Sequence, residues 1–216
     1  WDFLAKQFEE AYAMKDHLTH VSPRVQNRNL PYTPVAPSDT MQNEPDTDFD
    51  LSQNQEWVRR IFAKWKKSGT EEPEIIPLQI GAETVVCKNR YKYLDRCQND
   101  EVCICEMSQA DSAQVEKIIE IAETDPAGWR KTTLEERHRI MYEAANRLAD
   151  MRGDLIGYMC AVTGKTVIEG DVEVSEAVDY ARFYTTAMKK FAALDDIEIK
   201  PKGTILVISP WNFPCA

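Results

Sequence analysis

No stretch of the 216 residues approaches the roughly 18 consecutive apolar residues of a membrane-spanning helix. No signal-peptide pattern is visible, and the chain has no initiating Met, so it reads as an internal piece of a longer protein. Positive charge is in deficit. Lys and Arg number 26 against 36 Asp and Glu, a formal net charge of −10, which argues against nucleic acid or an anionic membrane as partner. Histidine is scarce, with three residues, and the six cysteines (Cys87, Cys97, Cys103, Cys105, Cys160, Cys215) form no C-x-x-C pair. Both facts argue against a zinc site. Unpaired thiols fit a reducing compartment, and the cytoplasm is the expected location. G-x-G-x-x-G does not occur, so the standard dinucleotide fingerprint is absent. Gly164-Lys165-Thr166 ends like a phosphate-binding loop, but Met159 stands where that loop needs its first glycine.

What is present is concentrated at the end of the chain. Ile205-Leu206-Val207-Ile208 has the length and β-branched content of a buried strand. Two prolines, Pro210 and Pro214, then bracket Trp211-Asn212-Phe213. Proline fixes φ and lacks an N–H, so it ends a ladder and stiffens the turn that follows. The carboxyl end of a buried strand is where α/β folds put ligands. Asn212 is the one strong polar side chain there, and a fixed neutral donor is what stabilises an oxyanion as it forms.

Ile208-Ser209-Pro210-Trp211-Asn212-Phe213-Pro214 resembles the signature of the aldehyde dehydrogenase superfamily. That resemblance implies that the Asn212 amide donates to the oxygen of a thiohemiacetal. It also implies that Ile208, Ser209, Pro210 and Trp211 line a pocket for NAD. The superfamily's fold resembles the Rossmann design without its glycine fingerprint, so the missing motif does not count against NAD.

Upstream, residues 1–18 read as an amphipathic helix, with Trp1, Leu4, Phe8, Tyr12 and Leu18 on one face. Residues 22–50 are Pro-rich and extended, a surface linker by composition. Ser52 to Lys67 reads as a helix opened by a Ser52–Gln55 capping box, with Trp57, Val58, Ile61, Phe62 and Trp65 on one stripe. Asn43-Glu44-Pro45-Asp46-Thr47-Asp48, with the Trp-bearing helix after it, is similar to the connector of bifunctional proline utilisation A proteins. In these, a flavin-dependent proline dehydrogenase domain precedes an aldehyde dehydrogenase domain.

From Glu74 the pattern turns to strands. Ile75–Ile80 and Thr84–Cys87 flank a Gly81 turn, and Glu101–Glu106 is a further short strand with Cys103 and Cys105 on one face. Helices follow: one capped by Asp111 with Gln114, one by Thr133 with Glu136, a third after a break at Gly153 that ends at a left-handed Gly164, and a fourth from Val174 to Phe191. Ile197 and Ile199 alternate with Glu198 and Lys200, as in a half-exposed strand, before a Pro201-Lys202-Gly203 turn into the last strand.

The expected fold class is therefore α/β. Residues 1–73 form a helical and Pro-rich connector, and residues 74–216 the amino-terminal part of an aldehyde dehydrogenase-like NAD-binding domain. The resemblances imply NAD-dependent oxidation of glutamate semialdehyde, the open form of 1-pyrroline-5-carboxylate, to glutamate in proline catabolism. They imply an upstream proline dehydrogenase domain with FAD, and homo-oligomers contacting through a β-arm near Ile197. The family's nucleophilic Cys, general-base Glu and a Lys for the NAD ribose and phosphate region are expected beyond Ala216, so the chain alone is expected to be inactive. Cys215 is rejected as the nucleophile, because it sits where an apolar helix residue is usual. His17, His20 and His138 lack a Cys or Ser partner at suggestive spacing and read as solvated surface residues. A monofunctional aldehyde dehydrogenase with an unusual extension and a non-catalytic helical assembly module are the alternative readings.

Overall fold

The computed structural model describes residues 1–17, 23–66, 72–98 and 102–216. Its elements are α1 (Asp2–Ala13), α2 (Ser52–Trp65), β1 (Glu74–Ile76), β2 (Leu78–Ile80), β3 (Glu83–Val85), β4 (Arg90–Leu94), β5 (Cys103–Ser108), α3 (Ser112–Thr124), α4 (Leu134–Asp150), α5 (Arg152–Thr163) and α6 (Val167–Ala192). One-turn 3-10 helices cover Lys15–His17 and Trp129–Lys131. Leu18, His20, Lys67 and Glu101 lie outside the described residues.

The hairpin expected around Gly81 is β2–β3, antiparallel, with Leu78 opposite Val85. β5 is the centre of a three-stranded sheet, parallel to β1 and antiparallel to β4. Two expected strands are corrected. Residues 197–199 and 205–208 form none, and Ile205 to Ile208 are 67–81% exposed. A strand is completed by a neighbour's N–H and C=O groups, and no described strand lies alongside either segment.

α4, α5 and α6 form the helical core. Ala145 and Ala149 of α4 meet Val178 and Ala181 of α6, while Ile156, Met159 and Cys160 of α5 meet Val174 of α6. Ile104 and Val102 close the sheet against Ala161 of α5. His138, expected at the surface, is 2% exposed and its ring lies tilted against that of Tyr142, centroids 4.7 Å apart, because its position on α4 falls on the face turned to the core.

α2 lies on α5 through its tryptophan stripe. The break expected at Gly153 falls instead at Met151, and Gly153 sits inside α5. Its missing Cβ leaves room for Trp57, whose ring would lie 3.4 Å from one. Gly157 is tighter, because an added Cβ would stand 2.1 Å from the Trp65 ring. Overpacking costs about 1–3 kcal/mol, and Ala gains up to ~1 kcal/mol over Gly in a helix interior. Gly157→Ala should therefore lose up to about 2 kcal/mol net by urea denaturation, with a changed tryptophan emission. Unchanged stability and emission would show that Trp65 is not seated there.

The helices begin as their sequences dictate. Asp111 and Gln114 form a full capping box on α3, and Thr133 and Glu136 another on α4. Thr166 and Glu169 add a third on α6 that the sequence reading passed over. The expected box on α2 is absent: Leu51 is the cap, and the Gln55 amide turns back to the Phe49 carbonyl at 3.0 Å. The Thr133 backbone N–H holds Glu136 below the usual carboxyl range, as the Thr166 N–H does Glu169. A folded-state pKa that is depressed adds stability above the unfolded value, near ~4, which is lost as pH falls through the folded value. The urea midpoint should hold on mild acidification and fall below about pH 4. A midpoint that rises on that descent would refute the capping account.

Residues 23–50 have neither helix nor strand, as their prolines suggest, but they are not a solvated linker. Glu44 and Thr47 are buried, at 7% and 6% exposure. Asp171 of α6 accepts the Thr47 N–H and hydroxyl, both at 2.6 Å, and the Arg152 guanidinium at 2.9 Å. Glu44 faces Arg182 at 3.0 Å and Arg152 at 3.4 Å. Burial, then the Arg152 charge, pulls Arg28 below the usual guanidinium range.

Candidate functional site

The site is built from the α5–α6 corner. α5 ends at Gly164, whose φ of 75° is the left-handed conformation that ends a helix without a Cβ penalty. Lys165 follows, Thr166 caps α6, and two turns in lies Glu173, 1% exposed. Lys165 pairs with Glu173, and its ammonium stands 4.4 Å from the Phe213 ring centroid. The other Glu173 oxygen accepts the backbone N–H groups of Cys215 at 2.6 Å and Ala216 at 3.3 Å. Between these anchors the Phe213 N–H reaches the Pro210 carbonyl at 3.4 Å, closing a turn with Trp211 and Asn212 at its centre.

A cleft of about 900 Å³ opens beside this turn. Ser209, Pro210, Trp211 and Pro214 form one wall, and Tyr91, Lys92, Tyr93, Arg96 and Tyr158 stand among those opposite. Ile208 and Asn212 are not part of the lining. The Trp211 indole is 81% exposed and Ile208 80%. Asn212 is exposed, and its carboxamide has no hydrogen-bond partner among the described residues. The lining combines an exposed indole and two prolines with three tyrosines and two cations, a mix of ring faces and positive charge that suits a flat, anionic ligand such as a dinucleotide.

Cys215 is a half-buried thiol packed against the Ile156 and Met159 cluster. Burial, then the Glu173 charge, pushes it up to about 11, the wrong direction for a thiolate nucleophile. In the sequence Lys165 stands out only as part of a rejected phosphate loop, and Glu173 not at all. A signal was there, since Glu173 falls on the buried stripe of α6 with Val174, Ala177 and Val178. An acid on such a face needs partners.

Residues 87–216 match the sequence profile of the Aldehyde dehydrogenase family. A 1-pyrroline-5-carboxylate dehydrogenase of Geobacillus sp. (strain WCH70) is 30% identical over 185 residues, which are 81% of this chain and 35% of that protein. The chain thus spans about a third of the length of the curated relatives it matches. Among solved structures, a 1-pyrroline-5-carboxylate dehydrogenase from Thermus with bound NAD superposes with a TM-score of 0.71 at 24% identity. The overlap covers 82% of this chain and 36% of that one. Proline utilization A (PutA) from Bdellovibrio bacteriovorus superposes at 0.65 with 21% identity, over 81% of this chain and 17% of that one. These likenesses show the α/β fold expected from the sequence, in its amino-terminal portion. With more than half its length inside the family profile, the chain belongs to the aldehyde dehydrogenase family.

Proposed function

We propose that this chain is part of an NAD-dependent dehydrogenase that oxidises glutamate semialdehyde, the open form of 1-pyrroline-5-carboxylate, to glutamate. Residues 1–73 serve as the connector and residues 74–216 as the first part of the NAD-binding domain. In the whole protein an FAD-dependent proline dehydrogenase domain precedes the connector, and the enzyme works in the cytoplasm as a homo-oligomer. The relatives' names and the Asn-Glu-Pro-Asp-Thr-Asp stretch support the substrate.

The observation that carries the reading is the state of Asn212. Its carboxamide is exposed and without a hydrogen-bond partner among the described residues, in a turn whose Pro210 and Trp211 line a cleft. A donor already satisfied inside the protein has nothing left for a substrate. In the proposed role this free amide donates to a carbonyl oxygen as charge builds on it. Ser209, Pro210 and Trp211 offer one face to NAD, which supplies the hydride acceptor when bound.

The test is the full-length protein with 1-pyrroline-5-carboxylate and NAD. NADH and glutamate should appear in equal amounts, and the isolated 216-residue chain should form neither. Turnover of unrelated aldehydes with none of 1-pyrroline-5-carboxylate would overturn the substrate. Turnover by the isolated chain would overturn the division of labour.

A further inference from the structure

We propose that Lys165 and Glu173 are positioning residues that set where Asn212 stands, a role that rests on Asn212 being the oxyanion donor. Glu173 comes from the second turn of α6, yet two of its bonds reach 42 residues ahead, to the backbone of Cys215 and the residue after it. Lys165 answers on the near side of Pro214, over the Phe213 ring. The turn is thus gripped before and after a residue whose φ is already fixed. Asn212 is next to Phe213, so its placement follows from that grip.

A purely structural pair closing the α5–α6 corner would not need this arrangement. Burying two charges carries a desolvation cost that an apolar pair avoids, so the pair is poor evidence of a stability role. No apolar residue accepts two backbone N–H groups, and a buried N–H left unpaired is costly. The carboxylate does what only an acceptor can do: one oxygen takes the two amides and the other takes Lys165. The lysine, which follows Gly164's left-handed turn, pairs with that carboxylate while packing on Phe213.

The experiment is a double-mutant cycle in the full-length protein, reading kcat for aldehyde oxidation. Glu173→Ala should lower kcat by about 10- to 100-fold in the wild-type background, because an ångström of misplacement is worth that much. In an Asn212→Ala background the same change should cost less than about 3-fold, since residues acting as one unit are not additive. Glu173→Gln keeps an acceptor oxygen and should recover most of the rate. Lys165→Met keeps an apolar contact with Phe213 but leaves the Glu173 carboxylate buried without its cation, and should fall between them. Equal losses in both backgrounds, with glutamine no better than alanine, would overturn the positioning role. If Asn212→Ala is itself silent, the oxyanion reading is what fails. Amide exchange at Cys215 and Ala216 then decides the clamp: faster exchange in Glu173→Ala upholds it, and unchanged exchange overturns it.

Discussion

Asp171→Ala should be the most destabilising single change in the chain, costing about 3–5 kcal/mol by urea denaturation. Asp171 is fully buried and is the point at which the connector and the helical core meet. Removing it orphans the Thr47 N–H and hydroxyl and takes away the shortest contact of Arg152, whose remaining partners are the Asp171 carbonyl, Ser175 and the more distant Glu44. Arg152 is 2% exposed, so its charge has no water to fall back on. Breaking such a pair from one side is costly even where the intact pair adds little, because a buried charge is left uncompensated. Against a typical total of about 5–15 kcal/mol, the loss brings the fold near its threshold. The connector should be released as well, read as new protease cleavage between residues 23 and 50. Arg24 pairs with Asp48 and Asp50 at the surface, and Arg24→Ala should change the urea midpoint little. If the two variants are alike, the clasp is not what holds the connector.

Asn212→Ala in the full-length enzyme should lower kcat by about 100- to 1000-fold while leaving the fold and its thermal transition in place. The size follows from the reaction. Attack on the aldehyde turns a neutral carbonyl oxygen into an anion, and a preset donor contributes most where that charge appears. The absence of a structural penalty follows from the site, because Asn212 is exposed and bonds to nothing among the described residues. Its loss removes no contact that holds the turn. The turn rests on the Pro210 carbonyl, on Lys165 and on Glu173.

The helices were the legible part of this chain. Asp111 with Gln114 and Thr133 with Glu136 announce their boundaries, and 3.6-residue periodicity does the rest, because both signals are local. Strands were harder for the opposite reason. β4 was missed, since Arg90-Tyr91-Lys92-Tyr93-Leu94 carries charges that propensity counts against it. Its Lys92 and Arg90 find Glu106 on β5, which no local window reveals. Ile205–Ile208 has strand composition without a strand, because pairing belongs to two segments. The connector misled by polarity. Glu44 and Thr47 look solvated until Arg152, Arg182 and Asp171, more than a hundred positions away, close over them. The turn itself was readable as a motif, whereas the clamp on it was not, because Glu173 and Cys215 meet only in three dimensions.

The claim that matters most is that Asn212 works as a neutral donor, and Asn212→Asp tests it most directly. Aspartate has almost the same shape and fits the same turn, but at neutral pH it offers only acceptors and a negative charge. The expected order of kcat in the full-length enzyme is wild type far above Asn212→Ala, with Asn212→Asp slower still, because a carboxylate repels the forming oxyanion. Were Asn212→Asp to run near the wild-type rate and above Asn212→Ala, the side chain would be serving the shape of the turn, and its role as the oxyanion donor would be wrong.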